Sequence, residues 1–418
     1  MSDNHNSDKV DFSNIVKAGA ISDLDELHIA KNRVLQGELI PAAETIDISD
    51  GEANSIMESL AASRAKRVKK AVRRAFGKPV PEAIAGILKD FALSPSQSKL
   101  GDKYFWGRLL EKIDSLTVDG QPLTMALPMG GGNIGSSIKT GGRILPDLSE
   151  WQAWNSLAGI SMAINEIYAP GALMIAVPDA ALHTADLGFA IEDVISHGRQ
   201  ANLDLMRLGL GGHLSIPDVL SHLPSNWSSI VDEIVPVLDL SKHDWSLIRS
   251  LVWSLNTKVH GMPIEREILI ASALSGNLND LPSCLRAEAH AIFQRAEFVV
   301  RHYSAVNIAI RRLGLIENVV EALTGSSNFL RLSVHAKAIE VPEIRPHLFP
   351  TNRIVQHPAL LPMHGVGVVR REGANTDFGI TFNLAALMRG YKRLVWNSRQ
   401  IGFEAHSDAA ELSKELAA

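Results

Sequence analysis

The chain has 418 residues, of which 46% are hydrophobic and 21% are charged, so it can bury a large core and has the composition of a globular protein. Its formal net charge of −5 gives no general case for a nucleic acid or a membrane surface as partner. The only cysteine, Cys284, excludes an intrachain disulfide and a zinc site built from cysteines. No apolar stretch is long enough to span a membrane and the polar N-terminus lacks a signal core, so we expect a cytoplasmic protein.

Helices dominate the first hundred residues. Residues 1–14 are polar and are expected to be disordered. Apolar residues at helical spacing predict helices over Glu52–Gly77, Pro79–Lys89 and Phe105–Ile113. We therefore divide the chain into a disordered N-terminus (1–14), a helical N-terminal extension (15–104), an α/β domain (105–400) and a C-terminal tail (401–418).

Buried strands alternate with helices after residue 120. The predicted strands are Leu123–Leu127, Ala172–Val177 and the strand-like segments FLRLSVHA, LLPMHGVGVVRR and FGITFNL. The predicted helices are Asp147–Tyr168, Phe189–Leu208 and Ser283–Leu323, the last with a break near Gly314. This order predicts an α/β fold with a mixed central sheet flanked by helices.

A glycine-dense loop, LPMGGGNIGSSIKT, runs from Leu127 to Thr140 and contains the pattern G-x-G-x-x-G. A dinucleotide-binding loop leads directly into a helix, whereas here GGRILP delays the next helix to Asp147. The backbone N–H groups of such a loop can still line an anion site, and Lys139 and Arg143 add positive charge beside it. The alternative is a surface connection between a strand and a helix, and the loop taken alone favours it.

The helix after this loop begins with a capping signal. Asp147 and Glu150 have the D-x-x-E spacing of a capping box, in which the first residue caps the helix and the second reaches back. That structural role is compatible with a place at the border of a pocket.

Four segments in chain order resemble the pyoverdine–dityrosine biosynthesis family, which contains the isocyanide (isonitrile) synthases. They are GQPLTMALPM with the following N, KT and LPDLSEW, then IYAPGALMIAVPDAALHTADL, then FLRLSVHA, then LLPMHG. The match covers roughly Phe105 to Arg371 and is loose through its middle third. Met129 and Gly130 stand where the family has an aromatic residue and a lysine.

The resemblance implies a reaction and its substrates. Family members condense the α-amino group of an amino acid with the ketone of ribulose 5-phosphate, and the adduct fragments to leave an isonitrile whose carbon comes from the sugar. The implied partners are small molecules, an amino acid and a sugar phosphate, with neither a metal nor an organic cofactor. An Fe(II)/2-oxoglutarate oxygenase is the implied pathway partner. The alternative is a related enzyme that modifies an amino-acid amine, by N-formylation as in dityrosine-type pathways, or that uses another keto or sugar partner.

The resemblance and the side-chain chemistry together point to ten site residues. The candidates for catalysis are His335, His364, Asp179 and Lys139, and those for substrate binding are Asn133, Arg143, Asp147, Glu150, Arg331 and Ser333. No metal ligand is expected among them.

Imine formation needs proton transfers near neutral pH, which suits histidine. Arg331, Ser333 and His335 alternate along one predicted strand and so share a face, where the arginine suits a carboxylate or a phosphate. Structural alternatives remain open for each of them: a hydrogen-bonded histidine, a buried ion pair of Arg331 with Asp179 or Glu150, and a turn role for Asp179.

A different class of function would use the basic segment SRAKRVKKAVRRAFGK, residues 63–78. Its spacing predicts a basic amphipathic helix, which can bind nucleic acid or a membrane surface but more often has a solvated charged face. A metal-dependent oxygenase is not supported, because the H-x-D at His406–Asp408 has no later histidine to complete a facial triad. We therefore expect no membrane and no nucleic-acid partner.

Overall fold

The structure is a computed structural model that describes residues 30, 33–34, 36–91, 103–129, 137–187, 190–238, 264, 283–332, 365–372 and 375–405. The strands are β1 (Thr45–Asp47), β2 (Leu123–Pro128), β3 (Ala172–Val177), β4 (Leu214–Ser215), β5 (Leu330–Arg331), β6 (Val366–Glu372), β7 (Asn375–Thr381), β8 (Lys392–Trp396) and β9 (Arg399–Glu404). The helices are α1 (Asp50–Ala75), α2 (Val80–Phe91), α3 (Lys103–Thr117), α4 (Ser137–Thr140), α5 (Leu148–Asn165), α6 (Thr184–Leu187), α7 (Ile191–Arg207), α8 (Trp227–Ile234), α9 (Ser283–Arg312), α10 (Leu315–Thr324) and α11 (Asn383–Met388).

One sheet is parallel and buried on both faces. Its strands lie in the order β4-β3-β2-β5. On one face, Met125 and Met174 pack into the same core as residues of α5. On the other, Ala126 and Ile175 pack with α9 and α10. Helices on both faces are typical of parallel sheets, and they explain why Leu123–Leu127 and Ala172–Val177 are continuous apolar runs.

A second sheet is mixed, in the order β1-β8-β9-β6-β7. The β1–β8 and β6–β9 pairs are parallel, whereas β8–β9 and β6–β7 are antiparallel. The predicted α/β class is therefore confirmed, with the strands divided between two sheets.

Helix α5 lies between the two sheets and packs against β3 of one and β6 of the other. Fourteen of its eighteen residues are buried, so α5 is a core helix that is covered on nearly all sides. The approach of β6 is close because Gly367 has no side chain. A Cβ there would lie 2.3 Å from Leu148 Cβ.

Both ends of the described chain join this core. β1 pairs with β8, and α1 packs against α5 and α2, so the helical extension is built into the same body as the sheets. The strands β8 and β9 were not predicted, and the predicted boundary at residues 400 and 401 falls inside β9. The predicted break in the long helical stretch is confirmed at Gly314, whose φ is +56°. Within the described ranges, no helix is long and apolar enough to cross a bilayer.

Candidate functional site

The carboxyl edge of the parallel sheet brings together segments that are far apart in the sequence. β2 and β3 end side by side, with Pro128 opposite Val177 and the Met129 N–H donating to the Val177 carbonyl at 2.8 Å. Asp179 follows β3 directly, and Arg331 lies on β5, on the other side of β2. Because α5 connects two parallel strands, it runs back across the sheet and begins at this same edge, where ligands of α/β proteins commonly bind.

The first turn of α5 carries the predicted capping box, which is confirmed. Asp147 Oδ1 accepts from the backbone N–H of Ser149 at 2.7 Å and also from its hydroxyl. The Asp147 N–H donates to Glu150 Oε2 at 3.1 Å. Asp147 Oδ2 accepts from the Gly367 N–H at 3.0 Å, so the same carboxylate also holds the start of β6.

Arg143 joins this helix start to both neighbouring segments. Its Nη1 donates to Glu150 Oε2 at 2.8 Å and to the Leu145 carbonyl at 3.1 Å. Its Nη2 donates to Ser149 Oγ at 3.1 Å and to the Gly365 carbonyl at 2.9 Å. Its Nε lies 3.2 Å from Asp147 Oδ2. Each of the two Nη atoms thus donates to two acceptors, and the side chain is only 9% exposed.

A histidine that the sequence analysis did not single out completes this group. His197, on α7, places Nε2 3.1 Å from Glu150 Oε1 and Nδ1 2.7 Å from the Ile144 carbonyl oxygen. The sequence gives no signal for it, since one partner is a backbone atom and the other lies 47 positions away. We call Arg143, Asp147, Glu150 and His197 the α5 charge cluster.

The α5 charge cluster contains two cations and two carboxylates, and burial makes each charge depend on the others. Burial alone would raise the pKa of Glu150, but the charges of His197 and Arg143 and the hydrogen bonds from them lower it to about 2. Burial alone would lower the pKa of His197, but the Glu150 carboxylate and the Ile144 carbonyl raise it above its ordinary value. Burial raises the pKa of Asp147. The environment thus separates the pKa values of two carboxyl groups on one helical turn, as often happens at functional sites.

Lys139 lies on the short helix α4, four residues before Arg143, and is only 2% exposed. Two contacts fix this turn. Asn383 Nδ2 donates to the Ser137 carbonyl at 2.8 Å, and the Arg143 N–H donates to the Thr140 carbonyl at 3.4 Å. Helix α4 was not predicted. It ends at Gly141, whose φ of +71° explains why the glycine pair stops it after one turn.

The structure describes two of the six remaining candidate site residues, Arg331 and Asp179. Arg331 Nη1 donates to Glu317 Oε1 on α10 at 3.5 Å, an ion pair that was not among the predicted ones. Asp179 starts a short 3-10 segment, Asp179–His183. Asn133, Ser333, His335 and His364 lie outside the described residues. Within the described ranges, no group of three or more His, Cys, Asp or Glu side chains is arranged to hold a metal ion.

The basic segment 63–78 forms the second half of α1 and the turn after it, as predicted. Part of its charge is structural: Arg67 donates to Ser156 Oγ and to the Asp90 carbonyl, and Arg74 pairs with Asp90 at 2.6 Å. Arg64 donates to Asn155 on α5. The exposed cations of the segment are Lys66, Lys69, Lys70, Arg73, Arg74 and Lys78.

No family model and no curated protein matches this sequence. The fold is similar to that of the PvcA protein from Pseudomonas aeruginosa, which is known from a crystal structure. The TM-score is 0.52 and the identity 15%, and the alignment covers 78% of this chain and all of that one. The likeness at this identity is one of fold.

Proposed function

We propose that this chain is an isocyanide-synthase-like enzyme that condenses the α-amino group of an amino acid with ribulose 5-phosphate to form an isonitrile. The proposal follows the sequence resemblance to the isocyanide synthases, and the structural similarity to PvcA supports it at the level of the fold alone. Enzymes on one fold perform different reactions, so the residues of the site have to support the chemistry.

One observation carries the proposal. Three of the four segments that resemble the family contain neighbouring strands of one sheet, β2, β3 and β5. The fourth leads into β6, which the α5 charge cluster holds through Gly365 and Gly367. Segments that lie far apart in the sequence are therefore neighbours in one sheet or join the start of α5, and this arrangement supports the proposal.

The proposed reaction assigns different tasks to the candidate binding residues. Lys139 and the N–H groups of the glycine loop after β2 would bind the phosphate, with Asn133 adding an amide. Arg331 on β5, together with Ser333, would bind the amino-acid carboxylate as a fork.

Proton transfer is the second requirement. The amine attacks the ketone carbon, and the resulting carbinolamine loses water to give an imine, so a proton must leave nitrogen and another must reach the departing oxygen. His335, His364 and Asp179 are the proposed acid–base groups. The contacts of Arg143, Asp147 and Glu150 favour a different role, in which they hold these segments in place.

The direct test is incubation of the full chain with mixed amino acids and ribulose 5-phosphate, followed by the isonitrile infrared stretch and product mass. The expected result is an isonitrile whose carbon carries label from the labelled sugar. An N-formyl product, or turnover only with another ketose, would support the related-enzyme alternative. No product from any pair would contradict the proposal.

A matched pair of arginines separates binding from stability. Arg331→Met should abolish turnover with little change in thermal unfolding, because its ion pair with Glu317 is long and Glu317 is 38% exposed. Arg370→Met is the control, since Arg370 is paired with Asp377 at 3.3 Å in the other sheet and should leave the rate unchanged. Equal effects of the two variants on the rate would remove Arg331 from the site.

A further inference from the structure

The charge state of His197 follows from its two neighbours. A carbonyl oxygen cannot donate, so Nδ1, 2.7 Å from the Ile144 carbonyl oxygen, must carry a proton. Nε2 faces the carboxylate of Glu150, whose pKa is about 2, so this oxygen is an acceptor as well. Both ring nitrogens therefore donate, and the ring is an imidazolium.

A second histidine at the other end of α5 shows that this arrangement is local. His213 Nδ1 lies 3.3 Å from Asn165 Nδ2, which can only donate, so this ring accepts at Nδ1 and is neutral when the contact forms. Burial and Arg64 lower the pKa of His213. The two histidines flanking one helix are thus held in opposite states.

The imidazolium completes the charge balance of the α5 charge cluster. Arg143 and His197 supply two positive charges. Glu150 supplies one negative charge, and Asp147, both of whose oxygens face N–H or O–H donors, supplies the other. Glu150 and Arg143 are the charged groups that act on the ring. Loss of the ring charge would leave a buried carboxylate in excess, which is costly at a site with side chains 0–15% exposed.

The α5 charge cluster is also linked to the turn that carries Lys139 and to the start of β6. His197 contacts the Ile144 carbonyl and Glu150. Arg143, which directly precedes Ile144, donates to the Gly365 carbonyl. Four residues earlier in the chain lies Lys139, on the turn that the Arg143 N–H helps to close. Gly365 follows His364 in the sequence.

We propose that His197 is a positioning residue of the proposed active site: its doubly donating ring fixes Ile144 and Glu150 and thereby the turn that carries Lys139. This inference rests on the proposed function for the reaction that it assists. It requires no contact between His197 and a substrate. A displacement of about 1 Å at reacting groups can lower a rate roughly 100-fold, so a residue behind the site can control it.

The experiment compares His197→Gln, the double variant His197→Gln with Glu150→Gln, and the control His213→Gln. His197→Gln should lower kcat roughly 10- to 100-fold with a smaller change in KM, because the groups that react are misplaced. The double variant replaces an ion pair by two amides and restores the charge balance, so it should recover part of the rate. We expect the wild-type pH–rate profile to decline at alkaline pH when His197 loses its proton, and the profile of the double variant to lack this decline.

Two readouts do not need turnover. In hydrogen exchange, residues 137–150 and 365–372 should exchange faster in His197→Gln and return towards wild type in the double variant. In a 15N titration of the wild-type histidine rings, His197 should be doubly protonated at pH 7 and His213 neutral. If His197→Gln does not fold, the double variant and this titration still decide the question.

The outcomes are distinct. A neutral His197 at pH 7, or exchange and pH profiles of His197→Gln equal to those of wild type, would overturn the inference. Absence of isonitrile from the wild type would contradict the proposed function. Faster hydrogen exchange of His197→Gln confined to residues 137–150 and 365–372 would still show that His197 stabilises the turn that carries Lys139. A kcat effect of His213→Gln as large as that of His197→Gln would show general damage to α5 and overturn the positioning role.

Discussion

The same capping motif opens the two long helices that pack against each other, α1 and α5, but in different surroundings. At α1, the Ser49 N–H donates to Glu52 Oε2 at 2.8 Å and the Glu52 N–H donates to Ser49 Oγ at 3.3 Å, with both residues exposed. At α5, Asp147 and Glu150 make the equivalent contacts with both residues buried. One motif therefore satisfies backbone groups in water in the first case and anchors a charge cluster between two sheets in the second.

Removal of a single charge from the buried start of α5 should reduce the free energy of unfolding more than any other change considered. Arg143→Met would leave Asp147 and Glu150 buried with only His197 to balance them, so we expect a loss of about 3–5 kcal/mol in the free energy of unfolding. Urea unfolding measures it. The control is Arg74→Met, whose ion pair with Asp90 has Arg74 58% exposed and should contribute less than about 1 kcal/mol. Similar losses of stability in both variants would mean that burial does not determine how much these arginines contribute.

The next largest loss of stability is expected where β6 approaches the buried start of α5. In Gly367→Ala the new Cβ would lie 2.3 Å from Leu148 Cβ and 2.5 Å from the Ser149 nitrogen, so the strand or the helix must shift. We expect a loss of about 1–3 kcal/mol, since overpacking of a core has this cost. Gly86→Ala, on α2 with no atom within 4 Å of the new Cβ, should instead gain about 0.5–1 kcal/mol. Thermal unfolding of the two variants in opposite directions would confirm both expectations.

Dependence on pH should also distinguish the two helix starts. The pKa of Glu150 falls from 4.5 to about 2 on folding, so its stabilisation is present above about pH 4.5 and is lost as the pH falls towards 2. The pKa of His197 rises above 6.5, so its stabilisation is present below pH 6.5 and is lost as the pH rises through the folded value. Asp147, whose pKa is raised, opposes Glu150 in acid, so the alkaline side is the clearer test.

The measurement is urea unfolding of wild type and His197→Gln between pH 5 and pH 9. The stability difference between them should be largest at pH 5 to 6 and shrink as the pH rises. A difference that does not change with pH would show that the ring has the same charge in the folded and unfolded chains.

Local signals in the sequence predicted many of the elements but not their partners. The strand Ala172–Val177 was predicted with its observed bounds, and the capping box at Asp147 and the break at Gly314 are also confirmed. Each depends on neighbours within a few residues: a continuous apolar run, a D-x-x-E spacing, a glycine that adopts positive φ. The spacing could not reveal that α5 is covered on nearly all sides, because two polar residues of its first turn, Ser149 and Glu150, are buried. Both accept from Arg143, and Glu150 also contacts His197 on α7.

Long-range contacts account for only part of what was missed. β8 and β9 form a hairpin through Asn397 and Ser398, both at positive φ, which is a local signal that the sequence analysis did not use. The pairing of β8 with β1, some 350 residues earlier, has no local signal. His197 was missed for this second reason, because its contacts form only where α7 meets residues 144 and 150. Arg143 was predicted to bind a substrate anion, yet it makes four hydrogen bonds to the protein itself. These contacts exist only in the folded chain, so the sequence could not show them.

The smallest effect is expected at the exposed capping box. Glu52→Gln keeps an acceptor for the Ser49 N–H, because glutamine also serves in capping boxes, and loses only a charge that solvent already screens. The pKa of Glu52 is lowered by hydrogen bonds from Ser49, so the little stability that the charge contributes should fade in acid. Thermal unfolding at pH 7 should therefore be almost unchanged, whereas the same substitution at Glu150 should destabilise the chain as strongly as loss of Arg143. Equal effects of the two substitutions would show that the motif, and not its burial, determines the energy.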